Sequence, residues 1–186
     1  MFTASGARMH RRKLMALNAG KNFEIQWSKS APDYALVHRL SDSAQSFGRS
    51  DNIRFSLKNP FDFFVWDSKR KRPYAFELKT VSGKSISFER TKEDKGEIHY
   101  HQINGLNAWN KYDGMTCGLI IEFREMELTI FIDIEDFNHL MDSIGKKSFN
   151  IKDLDDYDIP YFVIPQRKIK VNYRYDMDKF LSEIKN

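Results

Sequence analysis

Cysteine is almost absent from this sequence: Cys117 is the only one, so the chain cannot form an internal disulfide. We therefore expect a reducing compartment, the cytoplasm, and exclude the small disulfide-stabilised secreted folds. No apolar run approaches the roughly 20 residues of a membrane-spanning helix, and the N-terminus carries no apolar signal segment. Internal repeats, a glycine-rich phosphate loop, zinc-ligand spacing and a nucleophile–base pair are also missing.

What the sequence does contain is enough apolar material for a bulky core. Its 186 residues are 41% hydrophobic and 14% aromatic, which predicts a single domain over residues 1–186. The formal net charge is +4, and the pI is near 9.0. A chain this mildly basic is compatible with binding nucleic acid but does not require it.

Two short aromatic-rich runs, residues 59–66 and 74–80, predict antiparallel strands joined by the polar turn 67–73. The first run carries Asp62, and the second carries Glu77 and Lys79. Because side chains alternate along a strand, Glu77 and Lys79 share one face of the sheet, and the hairpin brings Asp62 alongside. Charged groups on a sheltered face are costly unless they pair with each other or bind a metal.

This arrangement, an Asp on one strand and Glu-x-Lys on the next, resembles the PD-(D/E)xK nuclease superfamily. The resemblance implies an α/β fold with a restriction-endonuclease-like core, in which helices flank a central mixed β-sheet. Two carboxylates can hold Mg²⁺ while leaving positions for water and a phosphate oxygen, and a lysine can orient that water or stabilise phosphoryl charge. The motif is short, and the alternative is a hairpin with one salt bridge.

Two predicted helices carry polar residues on otherwise apolar faces. A helix over residues 14–30 places Glu24 at the border of its buried face, so Glu24 is either a rim salt bridge or a third carboxylate at the site. A helix over 98–111 places Gln102 in an apolar stripe, where it either bonds to backbone or faces a phosphate or the metal's water. His99 and His101 are expected to point in different directions.

Basic residues predict the DNA-binding surface. We expect a flexible basic arm over residues 1–15 and a projecting, stalk-like basic segment over 41–59, for which a solvated tail and a floppy loop are the alternatives. The predicted DNA contacts lie in these two segments and at two positions outside them: Arg11, Arg12, Lys13, Arg39, Arg49, Arg54, Lys58 and Lys84.

The remaining chain predicts strands over 34–40, 116–123 and 128–133, and helices over 134–144 and 176–184. Residues 82–96 are polar and charged, which predicts a loop. The acidic run 153–158 lacks the glycine and the terminal Glu of an EF-hand loop, so we expect a solvated turn there.

The order of these elements narrows the resemblance to the RecU family of Holliday junction resolvases. The likeness spans roughly residues 18–184, and its matching segments are 20–24, Asp62, 76–80 and 99–103, with similar counterparts to Gly114 and 159–161. The chain departs from the family in two places: the segment 41–59 is short for a stalk, and Leu78 stands where a smaller residue is frequent. The Leu78 side chain is expected to point away from the site.

The resemblance implies a homodimer with two metal sites, which cuts two strands of a four-way DNA junction symmetrically while a stalk enters the junction centre. The expected ligands of Mg²⁺, or of Mn²⁺ in its place, are Asp62, Glu77 and the backbone carbonyl of Leu78. Lys79 positions or activates the water, and Gln102 and Glu24 organise the substrate or the ligands.

The leading hypothesis is therefore a Mg²⁺-dependent, structure-selective endonuclease from a phage or a bacterium, with branched DNA as substrate and a recombinase as a further partner. One alternative is another nuclease of the same fold that acts on linear duplex. The other is a non-catalytic DNA-binding recombination factor that keeps the fold, although clustered sheltered charges are more often functional.

Overall fold

The computed structural model describes residues 19–41 and 59–184. The strands are β1 (Ala35–Arg39), β2 (Phe63–Asp67), β3 (Arg72–Val81), β4 (Ser85–Ser87), β5 (Thr116–Phe123), β6 (Leu128–Asp133), β7 (Ser148–Asn150), β8 (Phe162–Val163), β9 (Gln166–Ile169) and β10 (Asn172–Tyr175). The described part of helix α1 covers residues 19–28. The other helices are α2 (Tyr100–Trp109), α3 (Ile134–Ser143), α4 (Ile151–Asp156) and α5 (Met177–Glu183), and a 3₁₀ turn (Arg124–Met126) joins β5 to β6.

A six-stranded mixed sheet forms the centre of the fold, with strand order β1-β2-β3-β5-β6-β8. Strands β3 and β5 are parallel, whereas β2 pairs antiparallel with β3 and β5 with β6. Two small sheets, β4–β7 and β9–β10, complete the strands of the described residues. Helices cover both faces of the central sheet, which confirms the predicted α/β fold.

Alternation along β3 divides the core into two clusters. Ala75 and Val81 pack with apolar residues of α2 and α3 on one face. Phe76 and Leu78 pack with residues of α1 and α5 on the other, where the ring of Trp27 meets that of Phe76 edge-on at a centroid distance of 6.2 Å. Because Glu77 and Lys79 alternate with Phe76 and Leu78, they lie together on the α2 face, which confirms the prediction that they share one face of the sheet.

Most predicted elements are present, but two predictions were wrong. The predicted loop 82–96 contains β4, which pairs with β7, and its Ile86 and Phe88 are fully buried. The acidic run begins inside helix α4, because Asn150 and Asp153 form a capping box and Leu154 is buried against the core. Apolar side chains at these positions pack against residues that are far away in the sequence. The polar residues around them in the sequence do not indicate this burial.

Several predicted features lie outside the described residues. They are the basic arm 1–15 with Arg11, Arg12 and Lys13, and positions 42–58 of the predicted stalk with Arg49, Arg54 and Lys58. Within residues 19–41 and 59–184, no helix has the length and apolar character needed to cross a bilayer.

Candidate active site

Asp62 lies immediately before β2 and holds the end of that strand on β3. Its backbone N–H donates to the Phe76 carbonyl at 3.2 Å, and its Oδ2 accepts the N–H of Leu78 at 2.9 Å. The strand register pairs Phe63 with Phe76, so Asp62 falls beside Glu77. The prediction that the hairpin brings these two carboxylates together is confirmed.

Glu77 is a buried carboxyl group with only 1% of its surface exposed. Burial raises its pKa to about 8; Lys79 opposes this effect and the carboxylate of Asp62 adds to it. The Nζ of Lys79 lies 3.0 Å from Glu77 Oε1. One ammonium group thus contacts Glu77, and the carboxylate of Asp62 lies beside the same carboxyl group.

Gln102 connects helix α2 to this buried carboxyl group. Its Oε1 accepts the N–H of His99, the N-cap residue, at 2.9 Å. Its Nε2 donates to Glu77 Oε1. The first alternative for Gln102, a bond to backbone, is present at Oε1. Its Nε2 contacts Glu77, and the alternative that Gln102 faces a phosphate or the metal's water stays a prediction.

The N-terminus of α2 shows one feature that the sequence analysis missed. Glu89 accepts the N–H of Tyr100 at 2.8 Å and pairs with Nδ1 of His99 at 2.9 Å. The rings of His99 and His101 stack at a centroid distance of 5.6 Å, so the expectation that they diverge was wrong. His99 has extended backbone as the N-cap, and helical spacing does not apply to it.

Leu78 contributes its backbone to the site and its side chain to the core. The side chain is 7% exposed and packs in the cluster on the α1 face, which confirms that it points away from Glu77. Its N–H faces Asp62. In a strand the N–H and carbonyl of one residue point to the same side, so the carbonyl of Leu78 is directed to the strand edge that Asp62 occupies.

Glu24 lies on α1, and its carboxylate forms an ion pair with Nε of Arg39 at 2.6 Å. Helix α1 packs on the sheet face opposite Glu77. Arg39 ends β1, and the N–H of the next residue, Leu40, donates to the Asp62 carbonyl at 2.8 Å. The ion pair therefore adjoins the strand end that carries Asp62, and a role for Glu24 in the site stays a prediction.

The two described cations among the predicted DNA contacts differ in their surroundings. Arg39 is engaged by Glu24. Lys84 lies in the turn after β3, with its Nζ 3.6 Å from Glu125 Oε1 and both side chains more than half exposed. An exposed pair at this distance contributes little stability, so Lys84 is available to a phosphate.

The donor atoms fit a hard divalent cation. Among the described residues there is no group of three or more His, Cys, Asp or Glu side chains arranged to hold a metal ion. Two carboxylates and a backbone carbonyl, from Asp62, Glu77 and Leu78, are nevertheless the all-oxygen ligands that Mg²⁺ accepts while keeping several waters. Burial raises the pKa of Glu77, and the neighbouring Asp62 raises it further against the opposing effect of Lys79.

Among solved structures, the chain is similar to Hjc, a Holliday junction resolvase from the archaeal hyperthermophile Archaeoglobus fulgidus, with 10% identity and a TM-score of 0.43 over 72% of this chain and 90% of that chain. No curated protein matches the chain. The family model described as recombination protein U, RecU, matches residues 68–179.

The family match defines a nuclease that cleaves Holliday junctions. The chain belongs to the RecU family, as its motifs indicated. The matched range includes Glu77, Lys79 and Gln102, whereas Glu24 and Asp62 precede it.

Proposed function

We propose that this resolvase cuts four-way DNA junctions in a Mg²⁺-dependent reaction, by paired symmetric incisions made by a homodimer. The observation that supports the proposal is the contact group of Asp62, Glu77 and Lys79, with a buried Glu77 whose pKa is raised to about 8. Mn²⁺ can replace Mg²⁺ at a site made of oxygen ligands.

In this proposal Asp62, Glu77 and the Leu78 carbonyl hold the cation. When bound, the cation polarises the scissile phosphate and lowers the pKa of a water. Lys79, held 3.0 Å from Glu77, orients that water or stabilises negative charge on the phosphoryl oxygens. Gln102 fixes the orientation of the Glu77 carboxylate, and Glu24 with Arg39 supports the adjoining strand end.

A two-fold dimer is the simplest way to cut two strands symmetrically, so the homodimer belongs to the proposal. It also includes a single domain over residues 1–186, cytoplasmic location, a recombinase as a partner and origin in a phage or a bacterium. DNA contacts through Arg39, Lys84 and the basic residues outside the described ranges are expected to make binding strongly salt-dependent.

The proposal is tested by incubating the protein with a synthetic four-way junction and with linear duplex of the same sequence, with Mg²⁺, Mn²⁺ or EDTA. We expect paired symmetric cuts in the junction only, and none in EDTA. Asp62→Asn and Glu77→Gln should abolish cutting and retain junction binding, whereas Glu93→Gln, an exposed loop change, should behave as wild type. Cutting that persists in EDTA or in both site variants would overturn the metal site, and equal cutting of linear duplex would overturn the junction preference.

A further inference from the structure

The β9–β10 hairpin is a basic ribbon that the candidate site does not include. Residues 166–175 contain four cations and no acidic residue: they are Arg167, Lys168, Lys170 and Arg174. The two strands pair with each other and not with the central sheet. Residues 167–171 are all exposed, so positive charge projects from the body of the molecule at this point.

Two of the four cations, Arg167 and Lys170, differ from the other two in their surroundings. Lys168 pairs with Glu127, and Arg174 donates to Oε1 of the buried Gln26 at 2.6 Å. For Arg167 and Lys170, no ion pair or side-chain hydrogen bond is found among the residues that the structure describes. A polyanion that approaches the ribbon would meet these two charges without displacing a carboxylate.

The tip of the ribbon has side chains that the fold itself does not require. Lys170 and Val171 form a two-residue turn between paired Ile169 and Asn172. Lys170 has a φ of +60°, a conformation that Gly or Asn adopts at lower cost. Val171 is 85% exposed and stabilises no core. Neither side chain is used at this turn by the part of the chain that the structure describes, so both are accessible to a ligand.

The base of the ribbon is firmly fastened. Gln166 Nε2 donates to the Glu127 carbonyl at 2.6 Å, and Thr129 donates to Gln166 Oε1 at 2.7 Å. On the other strand, the N–H of Tyr175 donates to Ser30 Oγ at 3.0 Å. Contacts to the β5–β6 turn and to α1 fix the direction of the ribbon, which is a condition for a specific contact.

These contacts place the ribbon on the α1 side of the sheet, at the end of the sheet where β3 carries Lys79. Strand β5 runs parallel to β3 and places Phe123 opposite Val81, so the two strands end at the same edge of the sheet. Glu127 follows β5 and therefore lies at this edge, as does the end of β3 that carries Lys79. On the other side, Asn172 near the tip contacts Asn22 of α1 at 3.0 Å. A Cβ atom at Gly20 would lie 3.9 Å from Thr80, the residue after Lys79.

We propose that the β9–β10 ribbon is a DNA-binding element, in which Arg167 and Lys170 contact backbone phosphates of the duplex next to the cleavage site. The inference rests on the DNA substrate of the proposed function and adds a binding surface to it. Phosphate contacts by mobile cationic side chains position the duplex without reading its sequence. The ribbon would thus raise affinity for junction arms without taking part in the chemical step.

The test measures binding of the full chain to a fluorescent four-way junction in EDTA, as a function of salt. Arg167→Ala/Lys170→Ala should weaken binding and reduce the slope of log K against log [salt] by about 2, one for each lost phosphate contact. The matched control is Lys29→Ala/Lys111→Ala, which removes two exposed cations just after the C-terminal ends of α1 and α2. The control should leave affinity and slope unchanged.

A single change, Lys170→Gly, separates binding from folding. It removes one charge and gives the turn a residue that favours positive φ, so the Tm should rise or stay constant while junction affinity falls. Parallel loss of Tm and affinity would overturn the proposal, as would an unchanged salt slope in the double variant. A change from dimer to monomer in the double variant would overturn it too, because the ribbon would then join two copies. Binding in EDTA does not depend on cleavage, so failure of the metal-dependent reaction would be seen separately.

Discussion

The side chain of Gln102 bonds at one end to the N-cap of helix α2 and at the other end to the buried carboxylate of Glu77. Its Oε1 accepts the His99 N–H at 2.9 Å, and its Nε2 donates to Glu77. The start of the helix and the orientation of the carboxylate are therefore set by one amide group. Any change in how α2 docks on the sheet is expected to reach the candidate active site.

Replacement of Gln102 by Ala removes the donor to a buried carboxylate and part of the helix cap. We expect a loss of about 2 kcal/mol in the free energy of unfolding and a fall of about tenfold in cleavage rate, equivalent to about 1.4 kcal/mol. Asn107→Ala is the control, because Asn107 lies on the same helix but bonds to Asn138. Denaturation and single-turnover cleavage measure both effects; equal cleavage rates for the two variants would contradict the role of Gln102.

The raised pKa of Glu77 predicts how the metal-free protein responds to pH. Its pKa is about 8 in the folded state and 4.5 as the ordinary value, so folding takes up a proton between these limits. The contribution of Glu77 to the free energy of unfolding should therefore be greatest below about pH 4.5. It should decrease by up to about 1.4 kcal/mol per pH unit as the pH rises to about 8.

Denaturant titrations in EDTA at several pH values measure this slope. Glu77→Gln cannot ionise and should lose this contribution, while Glu93→Gln should keep it. Added Mg²⁺ should stabilise wild type more at pH 8 than at pH 6, because the cation competes with the proton for the carboxylate. A wild-type curve that matches that of Glu77→Gln at all pH values would show that Glu77 ionises normally.

Helix α2 approaches the segment just before β2 so closely that Gly105 has no room for a side chain. A Cβ atom there would lie 2.7 Å from Pro60 Cα and 2.8 Å from its carbonyl carbon. Helix propensity alone predicts that Ala at position 105 stabilises by about 1 kcal/mol. We expect the opposite sign, a loss of about 1–3 kcal/mol from overpacking, together with slower cleavage because Asp62 follows Pro60 by two residues.

Thermal unfolding and junction cleavage of Gly105→Ala test this close approach. Gly145→Ala provides the matched control, since a Cβ atom at Gly145 meets nothing within 4 Å. If Gly105→Ala is as stable and active as wild type, α2 does not press on Pro60 as described.

The paired elements of the central sheet were predictable because their signals are local. Aromatic and β-branched runs mark β2, β3, β5 and β6. Because side chains alternate along a strand, Glu77 and Phe76 lie on opposite faces of the sheet regardless of the other segments of the chain. The strands β4 and β7 were missed because they are short and surrounded by polar residues. They are stabilised by the burial of Ile86, Phe88 and Phe149 in a core built by distant segments.

Strand alternation across one short hairpin is enough to predict that Asp62 meets Glu77, that Lys79 shares the face of Glu77, and that Leu78 turns away. The partners of Glu24, Gln102 and Glu89 and the direction of the β9–β10 ribbon become visible in the folded chain alone. These contacts join segments that are far apart along the chain, or that local periodicity does not describe. Their formation depends on how helices and hairpins dock on the sheet, which residue spacing does not encode.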